Sequence, residues 1–392
     1  MKLFIHKLDT IIDVYDDNTL SQEIVCFVKA ITSVSVSCPF EQIVIVGKHS
    51  VVLQQHNDGT PFVVGITMKE MLQRVIKIDC NDIWLLWGGW LELVNDFDLQ
   101  TAKQFVDLHN MWSTALCAKF ALCTDMRFPF KDAAYLNAGR IDFVRPGFPP
   151  VLELTQCLYK TKTVFDAVAF LPLFLMPTCG VNLLNPTNIA NKQCDIIYAT
   201  RDWHMLSTSR RHKIANYYVQ DGIKSVFMGQ HDHVQAFYKC MTEQQKSCID
   251  NTCKFENAAT FYEVPRRMST AIANVAIGDA QYEKHGLIPN RVGEGIAAGI
   301  ITFVDNAIDE KHVLFGDNKA LSNLSYVATP QDVAYRLQVF KQQPELYAHY
   351  VEQQRTWLLQ HWDLGKHFYA ATYAFMTQHR NMHICDACPS HL

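Results

Sequence analysis

The stretch from Ala271 to Asp305, A-I-A-N-V-A-I-G-D-A-Q-Y-E-K-H-G-L-I-P-N-R-V-G-E-G-I-A-A-G-I-I-T-F-V-D, constrains this chain more than any other. An apolar run ends at Gly278-Asp279; a loop, a helix start and a second apolar run follow. Strand, loop, helix and strand in that order predict a parallel sheet covered by helices. Asn290 is placed to cap the helix, and Arg291 and Glu294 fall on one face, one turn apart. Gly293, Gly295 and Gly299 keep another surface flat, so the helix can lie close to a sheet or a ligand. Helix N-termini attract anions. An Arg and a Glu at such a terminus suit a phosphate and a ribose diol. An ordinary surface ion pair has the same spacing, and spacing alone does not choose between them.

The 392 residues predict two domains. With 49% hydrophobic and 19% charged residues, the chain can bury a sizeable core and is not wholesale disordered. A formal net charge of −4 means that any contact with nucleic acid needs a local basic face. No opening stretch reads as a signal peptide, and Ala167–Met176, the longest dense apolar run, is too short to span a membrane. The thirteen cysteines are scattered, several (Cys26, Cys117, Cys123) in apolar runs, as expected of reduced thiols in a cytosolic protein.

Taken in order, Met1–Lys7, Gln42–Gly47, Asp82–Trp87 and Lys119–Thr124 read as strands, and Ser21–Ile31 and Leu99–Leu116 as helices. Asp125 stands at a strand's C-terminal end, where open parallel sheets bind ligands. The apolar run Val164–Met176 ends at Pro177 and a polar stretch follows, so the first domain is expected to run to residue 190. The second, 191–362, holds strands at Cys194–Thr200, Lys224–Gly229 and Leu324–Ala328, a short one at Thr260–Val264, and a helix at Ser209–Val219. Gln230–Phe255 has no clear period. Thr329-Pro330-Gln331-Asp332 starts a long helical region. Asp363-Leu364-Gly365 breaks that region, sending residues 363–392 back to the first domain. The periodicity supports the α/β class; two parallel-sheet domains facing a cleft are the arrangement it suggests, and periodicity alone does not establish that pairing.

No resident metal is expected. Asp96-Phe97-Asp98 reads as a helix cap, and neither His231-Asp232-His233 nor the tail His383, Cys385, Cys388 and His391 has a structural zinc pattern of good specificity. Trp84, Trp87 and Trp90 read as core.

Three segments resemble the bacteriophage DNA β-glucosyltransferase family: T-D-M-R-F-P-F at Thr124–Phe130, D-I-I-Y-A-T with R-R-H-K within Asp195–Lys213, and Ala271–Tyr282 with R-V-G-E at Arg291–Glu294, running on into I-I-T-F-V-D and D-E-K-H. The resemblance implies a GT-B fold and an inverting transferase. It would move glucose from UDP-glucose to 5-hydroxymethylcytosine in double-stranded phage DNA, as a monomer in the infected host's cytoplasm. Asp125 would be the general base. Glu294 would hold the ribose hydroxyls, and Arg291, Arg210 and Arg201 the diphosphate, with Tyr282 and Gly229 beside it. Glu23 and Arg127 would meet the substrate. Where the family has a carboxylate after a proline, Thr178 follows Pro177, which leaves the sugar open to a pentose such as arabinose. A duplex acceptor implies base flipping. Charge alone offers Arg140, Arg145, Lys160, Lys162, Arg266 and Arg267 as phosphate contacts, and reads Arg211 and Lys213 as a solvated face. A transferase with another acceptor, and a non-catalytic reader of modified DNA, are the competing readings.

Overall fold

The apolar runs become the strands of two sheets. A computed structural model describes residues 1–7, 22–33, 38–47, 50–88, 99–123, 145, 147–159, 165–172, 183–200, 206–229, 234–259 and 263–383. The first sheet has the order β3-β4-β2-β1-β5-β6-β7-β8. Its strands are β1 (Lys2–Lys7), β2 (Gln42–Gly47), β3 (Val51–Gln55), β4 (Pro61–Thr67), β5 (Ile83–Gly88), β6 (Ala118–Cys123), β7 (Val151–Thr155) and β8 (Ala167–Phe170). All neighbours are parallel except β3 and β4, which are antiparallel. Strands covered on both faces must be apolar on both faces; Phe4, Ile5, Trp84, Leu85 and Trp87 have no exposure at all. The two tryptophans are core, as expected. The helix Leu364–His383 completes this unit. Phe368 packs edge-on against Phe27 of the helix Gln22–Thr32, with ring centroids 5.1 Å apart, and against Phe120 at 6.2 Å.

The second sheet has the order β11-β10-β9-β12-β13-β14, all parallel. It consists of β9 (Cys194–Ala199), β10 (Ser225–Met228), β11 (Cys253–Glu256), β12 (Ala271–Ala276), β13 (Ile301–Asp305) and β14 (Tyr326–Val327). Counted along the chain this is the doubly wound order 3-2-1-4-5-6, which reverses direction between β9 and β12. The edge strand β14 pairs only with Val304 and Asp305 of β13. Below it, Gln354 of the helix Pro344–His361 takes the vacant rung. Its Oε1 accepts from Thr302 N (3.0 Å), and its Nε2 donates to Thr302 O (2.8 Å) and Ser325 Oγ (2.7 Å).

Several expectations change. The chain divides into one unit of residues 1–156, 160–172 and 364–392, and a second of Cys157–Tyr159 and Leu173–Asp363. A boundary near 190 is too late, because the preceding residues pack on the second unit: Leu184 N donates to Ala297 O (3.0 Å), and Ile189 joins that unit's core. The loop after Asp279 is the helix Ala280–His285, and Val264 lies in the helix Glu263–Met268 rather than a strand. Asn290 has helical backbone angles and makes no side-chain cap bond. Gln230–Phe255 contains the helices Val234–Tyr238 and Glu243–Thr252, the second opened by a Thr242/Gln245 capping box, and then β11. The Thr329 cap forms as expected, with Asp332 completing a capping box. Among the described residues no helix is long and apolar enough to cross a membrane.

Candidate functional site

The site is built where β9 and β12 part. Their pairing covers only Cys194–Ala271 and Ile196–Ala273. Above that the buried phenol of Tyr218 is inserted between them: Val275 N donates to its oxygen (2.7 Å), and its hydroxyl faces Ile197 O (3.2 Å) and Val275 O (3.0 Å). One polar side chain thus satisfies groups that a ladder would have paired, and keeps the crevice open. Into it comes the short helix Arg291–Ala297. Arg291 donates through Nε to Ala199 O at the end of β9, and through a terminal nitrogen to the carboxylate of Glu294. Glu294 is buried, its side chain only 6% exposed, so the pair is no solvated surface bridge.

Two further contacts fix this helix. Asn274 of β12 donates through Nδ2 to Arg291 O (3.0 Å) and accepts from the Thr302 hydroxyl (2.8 Å). Gly295 lies directly over this Asn–Thr bond, where a Cβ would collide with both side chains. The sequence signal for a flat helix surface is borne out at this glycine.

Arg210 sits in the first turn of the helix Thr208–Tyr218, with its guanidinium 4.9 Å from the centroid of the Tyr282 ring. Such stacking leaves the guanidinium edge available for hydrogen bonding to an anion. Its Nε is buried and has no hydrogen-bond partner among the described residues. Burial works against its charge, but Tyr198, Tyr282 and Asp279 together hold the group above its ordinary pKa. Asp279 caps the helix that carries Tyr282, accepting from Gln281 N (3.1 Å) and Tyr282 N (3.4 Å). Gly278 has no Cβ to strike Tyr282, which lets that ring come close. Gly229 follows β10, buried, with its N–H on Glu256 O (3.0 Å).

Lys213 is half-buried and ion-paired rather than freely solvated. It bonds the carboxylate of Glu283 and, at 2.9 Å, Asp305 Oδ2. Arg145 donates to Asn110 Oδ1 (2.6 Å), Arg267 lies 3.3 Å from Glu256 and Arg266 3.8 Å from Glu263. Asp125, Arg127, Arg201, Arg140, Lys160 and Lys162 lie outside the described residues, as do Asp96–Asp98, His231–His233 and Cys385–His391. The backbone of Glu23 lies in a described helix, but its side chain is not among those described. Among the described residues no three His, Cys, Asp or Glu side chains group as metal ligands. Sequence reasoning missed Tyr218, Asn274 and Asp279. Asn274 had a signal, being the lone polar residue inside an apolar strand; Tyr218 had none.

Chemically, the crevice offers the Arg291 guanidinium beside the buried Glu294 carboxylate, at the C-terminal end of β9 and at a topological switch point. That is the usual ligand position of this architecture. Two doubly wound units, with the last helix returned to the first, make this a GT-B fold.

No family model matches the chain, and no curated protein matches it in sequence. Solved structures do match in fold. A T4 phage β-glucosyltransferase structure is 17% identical with a TM-score of 0.61, covering 96% of this chain and 99% of that one. The same phage enzyme in complex with UDP and Mn2+ is 16% identical with a TM-score of 0.60, covering 98% and 100%. HepE of Anabaena, in complex with UDP-glucose, is 11% identical with a TM-score of 0.56, covering 96% and 100%. Over nearly its full length the chain therefore shares the fold that its sequence resemblance implied.

Proposed function

We propose that this protein is an inverting glycosyltransferase that moves a sugar, glucose first, from a UDP-sugar to the hydroxyl of a modified pyrimidine in phage double-stranded DNA, 5-hydroxymethylcytosine above all. The observation that carries the donor half is the buried Arg291–Glu294 pair, held on Ala199 O at the β9/β12 switch point, with the Arg210–Tyr282 stack as the second element of the site. HepE and the T4 phage enzyme, whose solved complexes hold UDP-glucose, support the same half. The acceptor half rests on the T-D-M-R-F-P-F segment.

The reaction is a single displacement. The hydroxymethyl oxygen attacks the anomeric carbon as the bond to UDP breaks, and an α-linked donor gives a β product. Asp125 takes the hydroxyl proton. Glu294 accepts hydrogen bonds from the ribose hydroxyls, while Arg291, Arg210 and Arg201 spread the charge growing on the departing diphosphate. A divalent cation would add to these side chains rather than replace them. In this reading the first unit takes the DNA, with the target base flipped out, and the second takes the donor. The product is phage DNA shielded from host nucleases, made by a monomer in the infected cell's cytoplasm.

The test is to incubate the protein with hydroxymethylated duplex DNA and a panel of UDP-sugars, UDP-glucose and UDP-arabinose included, and to weigh the released nucleosides. Asp125→Ala should abolish transfer and keep UDP binding. Transfer only to a small molecule, protein or lipid would replace the acceptor. UDP binding without transfer to any acceptor would make the chain a binding protein.

A further inference from the structure

We infer that Lys213 is a positioning residue of the donor site: it holds the Arg210–Tyr282 stack in register and keeps two carboxylates from competing with the diphosphate. The inference rests on the donor-site reading above. Arg210 and Lys213 are one turn apart on the helix Thr208–Tyr218, and Tyr282 and Glu283 are adjacent on the helix Ala280–His285. The two helices therefore meet through two rungs. One is the guanidinium over the Tyr282 ring at 4.9 Å, and the other is the Lys213–Glu283 ion pair. Lys213 also reaches Asp305 Oδ2 (2.9 Å) at the end of β13, a carboxylate whose side chain is 6% exposed and whose Oδ1 accepts from Ala307 N (3.2 Å). One ammonium thus ties together both helices that carry the stack and a strand end beneath them.

Charge supplies the second half of the argument. Burial opposes the lysine's charge, yet its bonds to Glu283 and Asp305 hold it above its usual pKa. Without Lys213, those two carboxylates stand together uncompensated. Asp279, whose charge already acts on Arg210, adds a third. Arg210 would then be drawn toward protein carboxylates and away from phosphate. Charges in a partly buried site are screened far less than in water, so losing this one should cost about tenfold or more in affinity for the diphosphate. The effect should fall on the diphosphate and spare the nucleoside.

The experiment titrates the full chain with UDP by calorimetry and with uridine by ligand-observed NMR. Lys213→Met should weaken UDP by about tenfold or more and leave uridine within about twofold. Lys213→Arg should return UDP affinity to near that of the unmutated protein, and thermal unfolding reports whether each variant is folded. If Lys213→Met does not fold, Lys213→Gln, which can still hydrogen-bond both carboxylates without a charge, is read the same way. Unchanged UDP affinity, or a parallel loss of UDP and uridine, overturns the inference. Arg291→Ala is the control. If it loses UDP while Lys213→Met does not, the donor site stands and Lys213 has no part in it. If the unmutated protein binds no UDP, the donor-site reading fails and this inference falls with it.

Discussion

The hydroxyl of Tyr218 receives the backbone N–H of Val275 at 2.7 Å, in the gap where β9 and β12 separate. A phenol thereby stands in for the strand that β12 lacks on that side, and the ring lies against Tyr198 and Phe227. Tyr218→Phe keeps the ring and deletes the oxygen, leaving Val275 N buried without its acceptor. The expected loss is about 1–3 kcal/mol, read from urea unfolding, with weaker UDP binding because the crevice is no longer held open. A variant as stable as the unmutated protein would show that the phenol is a mere filler.

Gly295→Ala tests the packing of the helix Arg291–Ala297 on the sheet. In an open helix such a change stabilises by roughly 1 kcal/mol. Here the new methyl meets both Asn274 and Thr302, so the sign should reverse, to a loss of about 1–3 kcal/mol. Denaturant midpoints decide the sign directly.

Glu294→Gln keeps the shape but removes the charge that pairs with Arg291 and the acceptor proposed for the ribose. A hydrogen bond to a charged group is worth about 1.5–3 kcal/mol, so UDP affinity should fall roughly ten- to a hundredfold. Uridine should weaken in parallel, since the ribose is common to both. This pattern is the opposite of that expected at Lys213, and the same titrations distinguish the two.

Acid should weaken the first unit through His6. This residue is buried beside Trp84 and 4.8 Å, ring to ring, from His109, and burial first, then the neighbouring histidine, lower its pKa well below 6.5. The unfolded chain takes up a proton at His6 near pH 6.5, which the folded chain refuses. Stability is therefore complete above that pH and falls below it, by up to about 1.4 kcal/mol per pH unit for one proton. His6→Leu should flatten the slope between pH 6.5 and 5, as measured by urea midpoints across that range.

Much of the second unit was legible because its strands are buried on both faces and so appear as uninterrupted apolar runs. Ala271–Ala276 and Ile301–Asp305 are the clearest. Several strands escaped notice, among them Pro61–Thr67, opened by a proline and interrupted by Gly65. Val151–Thr155 carries Glu153 in full burial and follows two prolines, and Val51–Gln55 is exposed along most of its length at the sheet edge. Lys213 escaped for a different reason: its partners lie 70 and 92 residues away, beyond the reach of any periodicity. The same holds for Arg291, whose helix and partner Glu294 are local but whose anchor, Ala199 O, is 92 residues upstream. Asn290 shows the reverse error, a good capping residue that the turn before it made unnecessary.

The amide of Gln354 matters beyond its own helix. A second copy of the chain trying to extend the second sheet past its two-residue edge strand would find the next donor and acceptor, on Thr302, already engaged. Strand-to-strand pairing at that rung is thus blocked by one side chain, while Arg336, donating to Tyr326 O (2.6 Å), engages the neighbouring edge carbonyl. Replacing Gln354 would expose a templating rung on Thr302.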